Sequence, residues 1–329
     1  MLIRHVTPVP PQRARGLLAE VYAQVNAEFS TAGPAVMMMS PSAELMAAGW
    51  SLMRESQLAG DIPPLDKAIV ALGAARANRL PYDIEAFLTI LRMLGGPELA
   101  DAAERGEALP DRRLDGLLRW AESTGVGGVE PAGAPVEGAE YFGTLLFTHF
   151  IDRIAAAMLP AGLTPGSMDP GDEPAFDGAP VLREPGRPMR PGATLPLLAE
   201  LQAGEPPAWA AGSPIGSAYA ALAATAAQGA GLLSPAAALV VTEVIGAHRG
   251  RRQLAGPWVE AAVSGLSADE RPGAIVGILA GLAPEALTDD LVRAWRATDR
   301  RFSDHCTVFL LAFGAMTAVA QIEADVILP

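Results

Sequence analysis

The feature that most narrows what this chain can fold into is a recurring unit: a proline, then a run whose apolar side chains fall three or four positions apart. In residues 64–78, PLDKAIVALGAARAN, Leu65, Ala68, Ile69 and Leu72 share one helical face. Pro81 opens a second segment, in which Phe87, Ile90, Leu91 and Leu94 form a stripe. Gly95 and Gly96 then supply the stop that a glycine just past a helix end commonly provides. RLDGLLRWAES predicts a short helix, and YFGTLLFTHFIDRIAAAML a longer one with Phe142, Leu145, Leu146, His149, Phe150 and Ile154 along one stripe. An earlier pair at roughly 11–29 and 42–57 brings in Trp50 and the Met37-Met38-Met39 cluster. Alanine, the best helix former, supplies much of the apolar content, and strand-type alternation is nearly absent. The expected class is all-α.

Residues 160–214 break this pattern, because they hold twelve of the chain's twenty-nine prolines and cannot be mostly helix interior. Beyond them the outline repeats. LSPAAALVVTEVIGAHRG follows PPLDKAIVALGAARAN in its proline start and apolar stripe, and the segment from DERPGAIVGILAGLAPEAL to FSDHCTVFLLAFGAMTAVAQI parallels the later first half. The 329 residues exceed one ordinary bundle and suit two domains of about 150 each. The expected organisation is a duplication, with helical halves at 1–159 and 215–329 joined by a proline-rich connector at 160–214.

Charge and cysteine content exclude several functions. A net charge of −13, with no basic run, opposes binding to nucleic acid or to an anionic membrane. Arginine supplies every side-chain cation except Lys67. The N-terminus MLIRHVTPVPPQRARG lacks the apolar core of a signal peptide, and no uninterrupted apolar run reaches the length of a membrane span. The expected location is cytoplasmic. The single cysteine, Cys306, cannot form an intramolecular disulfide or a four-cysteine zinc site. With no HExxH, no histidine pair one turn apart, no P-loop and no GxGxxG, neither a metal nor a cofactor is expected.

The segment LMAAGWSLMRESQLAGDIPPLDKAIVALGAARANRLPYDIEAF strongly resembles the core of the alkylhydroperoxidase AhpD and carboxymuconolactone decarboxylase-like family. Trp50, Arg54 and Glu55 fit that family's W-x-L-x-R-E element, Lys67 its K-E-A-V-A element, and Asn78, Pro81 and Tyr82 its N-x-C-P-Y-C element. FTHFIDRIAAAML resembles the helix after the core, and PAWAAGSP with DERPGAIVGILAGLAP resembles the second half of larger members. The resemblance implies an AhpD-like helical bundle that associates into a homo-oligomer. It also marks a loss. Leu80 and Asp83 stand where the family has its two redox cysteines, Phe87 where it has its histidine, and Ala68 where it has its glutamate. The thiolate, the resolving thiol and the carboxylate–histidine relay of that chemistry are all missing.

What remains points to a different use of the same frame. Asp83 and Glu85 lie in the first turn of the helix begun by Pro81, where acids offset the macrodipole. Asp83, in the second cysteine's place, is also a candidate general acid/base if an apolar pocket encloses it. Tyr82 and His149 are the groups expected to assist it, His149 doubling as a core histidine, with Leu80, Phe87 and Trp50 as substrate-contacting walls. Asp152 and Arg153 are expected to pair with neighbours along their own helix, while His248 and His305 read as surface or helix-end residues. The expected function is a cofactor-independent enzyme of isomerase, cyclase, dehydratase or decarboxylase type on a small apolar molecule, possibly biosynthetic. The alternative is a pseudoenzyme that binds a small ligand or a partner protein.

Overall fold

A computed structural model of the chain describes residues 3–29, 33–125, 138–172, 189–202 and 204–327. Among the described residues eight α-helices precede the proline-rich connector: α1 (Leu17–Glu28), α2 (Pro34–Met37), α3 (Ala43–Met53), α4 (Pro64–Asn78), α5 (Pro81–Gly95), α6 (Pro97–Glu104), α7 (Arg112–Ser123) and α8 (Ala139–Met158). After it come α9 (Pro214–Ala227), α10 (Pro235–Ala247), α11 (Trp258–Ala262), α12 (Arg271–Leu282), α13 (Asp289–Arg296) and α14 (Asp304–Ile327). Among the described residues no strand forms, and Ala59 and Met189 make an isolated bridge. The fold is all-α.

The helix starts follow from local chemistry. Proline occupies the first turn of α4, α5, α6, α9, α10 and α12, where its missing N–H leaves no hydrogen bond unmade. Side chains of Ser42, Asp111, Ser213, Ser234 and Thr288 accept from first-turn N–H groups of α3, α7, α9, α10 and α13. A short 3-10 helix over Gln228–Leu232 continues α9.

Two apolar cores result. The smaller is built from α4 to α8 around Ile69, Leu72, Leu117, Trp120 and Leu145. The larger draws on residues from Ile3 to Ile322, so helices on both sides of the connector share it. α4 packs on α5, α7 and α8; α8 packs in turn on α14, which lies against α12. α14 is long and apolar enough to cross a membrane, yet 72% of its most apolar window is buried against the rest of the protein. Its hydropathy is that of a core helix.

The connector is described at 160–172, 189–202 and 204–214; residues 173–188 and 203 lie outside the described residues. Where it returns at Met189–Thr194, a buried carboxylate holds it. α3 runs into a π-helical turn over Arg54–Leu58, and this turn buries Glu55. Glu55 accepts from the Gly192 N–H at 2.5 Å, the Thr194 N–H at 3.2 Å and the Thr194 hydroxyl at 2.7 Å. Arg54 meanwhile donates to the Arg190 carbonyl at 3.1 Å and pairs with Glu28 at 3.2 Å.

One arginine ties the two sides of the molecule together. Arg153 on α8 is fully buried and donates to the Gly281 carbonyl at 2.9 Å, the Gly250 carbonyl at 2.7 Å and the His149 carbonyl at 2.6 Å. Removing one member of a buried, hydrogen-bonded charge network costs about 3–5 kcal/mol. Arg153→Ala is therefore expected to lower unfolding free energy by about that amount; a denaturant titration showing a loss under about 1 kcal/mol would contradict this role.

Candidate functional site

The site forms where α4 stops and α5 starts. Arg79 takes a left-handed backbone conformation (φ 56°), and its N–H caps α4 by bonding to the Arg76 carbonyl at 3.0 Å. This single-residue turn sets Asn78 at the end of one helix and Asp83 in the first turn of the next. α8 crosses behind both.

Between α3, the π-turn, α4, α5 and α8 lies a cavity of about 210 Å³. Its lining is largely apolar, with Phe29, Trp50, Phe87, Phe147, Ile90 and Ile151 among the wall residues. The polar groups are few, namely Gln57, Lys67, Tyr82 and Asp83. The π-turn is what brings Gln57 and Leu58 to the lining, since widening one helical turn re-aims the side chains that follow.

Of the groups expected to act together, Tyr82, Asp83, Phe87 and Trp50 meet at this cavity. Leu80 does not line it; it is buried at the N-cap of α5 in the larger core. Nor does His149, which lies fully buried behind the cavity wall. Its neighbours explain why. The Asn78 amide donates through Nδ2 to Asp152 at 2.7 Å, so its Oδ1 faces His149 Nδ1 at 3.0 Å. That nitrogen therefore carries the proton, and Nε2 lies 2.8 Å from the Thr124 hydroxyl, which is also 2.7 Å from the Ala121 carbonyl. Burial, then Arg153 and Arg252, hold the imidazole well below its ordinary value, so it is neutral. It is a locked core histidine.

Asp152 takes the place beside Asp83 that was expected for His149. Its partners are not along its own helix, as the spacing suggested, but on α4 and α5. One oxygen accepts from Asn78, and the other has no N–H or hydroxyl partner. The Asp83 carboxyl supplies the contact instead, a carboxyl–carboxyl hydrogen bond that requires a proton between the two. Burial raises both groups above the ordinary aspartate range, and the facing Asp83 charge raises Asp152 further. Asp83 is thus the member of the pair that lines the cavity, and Asp152 lies fully buried beneath it. Tyr82 is raised by burial first and then by the Asp83 and Glu85 charges, so its hydroxyl stays protonated.

Lys67 is the cation of the lining, and it is not free. Its ammonium pairs with Glu140 and donates to the Ala59 carbonyl. Burial lowers its pKa, and Glu140 works against that shift. Cys306, half-buried near the start of α14, lies outside the cavity lining, with its sulfur 3.7 Å from the Ser303 hydroxyl. Among the described residues no cluster of three or more His, Cys, Asp or Glu side chains is placed to hold a metal ion.

Three positions where the chain departs from the motif of the family it resembles, Ala68, Asp83 and Phe87, therefore line one cavity. The chain is 33% identical over 97% of its length, and 94% of the relative's, to the protein of Mycobacterium tuberculosis (strain ATCC 25618 / H37Rv) named alkyl hydroperoxide reductase Rv2159c. The chain belongs to the AhpD-like family. No protein-family model matches it, and neither does any solved structure.

The carboxyl pair has a signature in stability. A carboxyl whose folded pKa is raised stabilises the protein fully below the ordinary value near 3.8, and that contribution is lost as pH rises through the folded value. Asp83→Asn removes the titration but keeps the size. Its thermal midpoint relative to the unmodified protein is expected to climb as pH increases from about 4 to about 8. A difference that stays constant across this range would show that Asp83 titrates normally.

Proposed function

We propose that the chain is a cofactor-independent enzyme that moves a proton on a small, largely apolar organic molecule, with Asp83 as the acid/base. An isomerase, cyclase, dehydratase or decarboxylase reaction in a biosynthetic pathway fits this chemistry. The observation that carries the reading is the Asp83 carboxyl, open to an apolar cavity and hydrogen-bonded from behind to the buried Asp152. A carboxyl with a raised pKa is a better base when ionised and a more persistent acid when protonated, and both suit proton transfer near neutrality. Asp152 takes the role first given to His149, acting on Asp83 rather than on substrate. The reading excludes thiol peroxidase chemistry, since no cysteine lies at the cavity. It takes the protein as a cytoplasmic homo-oligomer built from two similar helical halves.

The rival reading, a ligand-binding pseudoenzyme, draws support from His149, because an imidazole locked on both nitrogens leaves the cavity without a second proton carrier of that type.

Two measurements separate these readings. Asp83→Asn should keep the fold and lower turnover by roughly 10²–10⁴-fold, the scale of lost general acid–base catalysis. Turnover is to be read on the substrate captured from metabolite extracts by the purified protein, beside thermal stability, and full activity in the variant would move the weight to the pseudoenzyme. With a dithiol reductant, the protein should show no turnover of alkyl hydroperoxide or hydrogen peroxide. Peroxide turnover that disappears in Cys306→Ser would sink that part of the reading.

A further inference from the structure

The polar groups of the cavity divide into those already used by the protein and those still open. The Trp50 indole N–H donates to Gln24 at 3.0 Å, and the Gln57 amide donates to the Thr148 hydroxyl at 3.1 Å. Lys67 is paired with Glu140 and the Ala59 carbonyl. Each nitrogen that lines the cavity therefore already has a protein partner, the Gln57 amide keeping one further N–H and the Lys67 charge being met by Glu140. The Tyr82 hydroxyl and the cavity-facing side of the Asp83 carboxyl have no such partner, and they are adjacent residues of the first turn of α5.

This arrangement selects by charge. A carboxylate ligand would find no uncommitted cation and would leave water to face Asp83, so its desolvation would go uncompensated. A ligand with no polar atom would leave the Tyr82 and Asp83 groups unpaired when it displaced water from them. An uncharged molecule with a single acceptor oxygen can accept from the Tyr82 hydroxyl, and from Asp83 when that carboxyl holds its proton, and buries the rest of its surface on aromatic and aliphatic walls.

The cavity also selects by size. An apolar cavity of about 150 Å³ takes benzene, so 210 Å³ suits about eight to ten non-hydrogen atoms.

We propose that the cavity takes an uncharged, mostly apolar carbonyl compound of about the size of acetophenone, whose oxygen is held by the Tyr82 hydroxyl and the Asp83 carboxyl. The proposal rests on the acid/base reading of Asp83 and names the substrate class for it. Held in this way, the carbonyl oxygen receives two hydrogen bonds from the side on which Asp83 exchanges its proton.

The test is a matched set of probes read by calorimetry and by the fluorescence of Trp50 and the other tryptophans, near pH 7: acetophenone, ethylbenzene, benzoate and phenethylamine. One hydrogen bond changes affinity about 2–12-fold. Acetophenone is therefore expected to bind at least about fivefold more tightly than ethylbenzene, with benzoate weakest. Tyr82→Phe should cut that preference without touching the carboxyl. Asp83→Leu, which keeps the wall apolar, should cut it likewise, and combining it with Tyr82→Phe should bring acetophenone to within about twofold of ethylbenzene.

If ethylbenzene or benzoate matches acetophenone, or no probe binds at millimolar concentration, the substrate class is wrong. Phenethylamine binding tightest would also overturn it, since that would mean an ionised Asp83 seeking a cation. Because the wild-type series alone decides these outcomes, a poorly folded Asp83→Leu does not blunt the test. The two readings fail separately. Ketone preference with full turnover in Asp83→Asn refutes the acid/base role and leaves the binding class, whereas lost turnover without ketone preference does the reverse.

Discussion

Most of this architecture depends on one buried amide. Asn78 stands at the last turn of α4 and reaches three residues of α8: its nitrogen holds Asp152, and its oxygen faces His149 and Arg153. Each group is fully buried, so any one left without its partner would carry the desolvation cost of an unmet polar atom. The arrangement is thus all or nothing. It fixes the angle between α4 and α8, orients the neutral histidine, and carries Arg153 to the Gly250 and Gly281 carbonyls beyond the connector. The cavity in front of this network is shaped by helices that the network holds in place.

The same cluster explains how an aspartate can stand in a helix start and still behave unlike a surface acid. A first-turn carboxylate normally gains from the unpaired N–H groups and the macrodipole. Asp83 has that position, but its side chain faces a wall of aromatic and aliphatic groups and a second carboxyl. Desolvation outweighs the dipole, because a first-turn charge is worth about 0.3–1 kcal/mol whereas burial without a cation can shift a carboxyl by several pKa units. No arginine faces it to reverse the balance; the nearby Arg153 spends its donors on carbonyls and on Asn78.

Much of the fold was legible in the sequence, since the signals concerned are local. The proline starts and apolar stripes of α4, α5 and α8 depend on residues within a few turns, and these helices lie within two residues of where the spacing placed them. The placing of Asp83, Tyr82, Phe87 and Trp50 came from resemblance to a motif, and the cavity gathers all four. The failures concern long-range partners. Position on an apolar stripe shows that His149 is inside, but not whether it faces a cavity or a fully packed network. Asp152 sits three residues further on, one turn along α8, where helical spacing offers near neighbours as partners. Its actual partners are 74 residues away at Asn78, and at Asp83 on the following helix. The π-turn at Arg54–Leu58, which supplies Gln57 and Leu58 to the lining, carries no proline or glycine to announce it.

The burial of Lys67 has an effect on the whole surface. It is the chain's only lysine, it is 3% exposed, and its ammonium is paired with Glu140. Every other basic side chain apart from the four histidines is a guanidinium, which keeps its proton throughout the range in which proteins are handled. The exterior therefore has no side-chain amine to titrate, and its electrophoretic mobility should hardly change on the alkaline side of neutrality. Amine-directed reagents and lysine-modifying enzymes find no exposed lysine on these residues, so the surface is chemically quiet toward a whole class of conjugation that most surfaces invite.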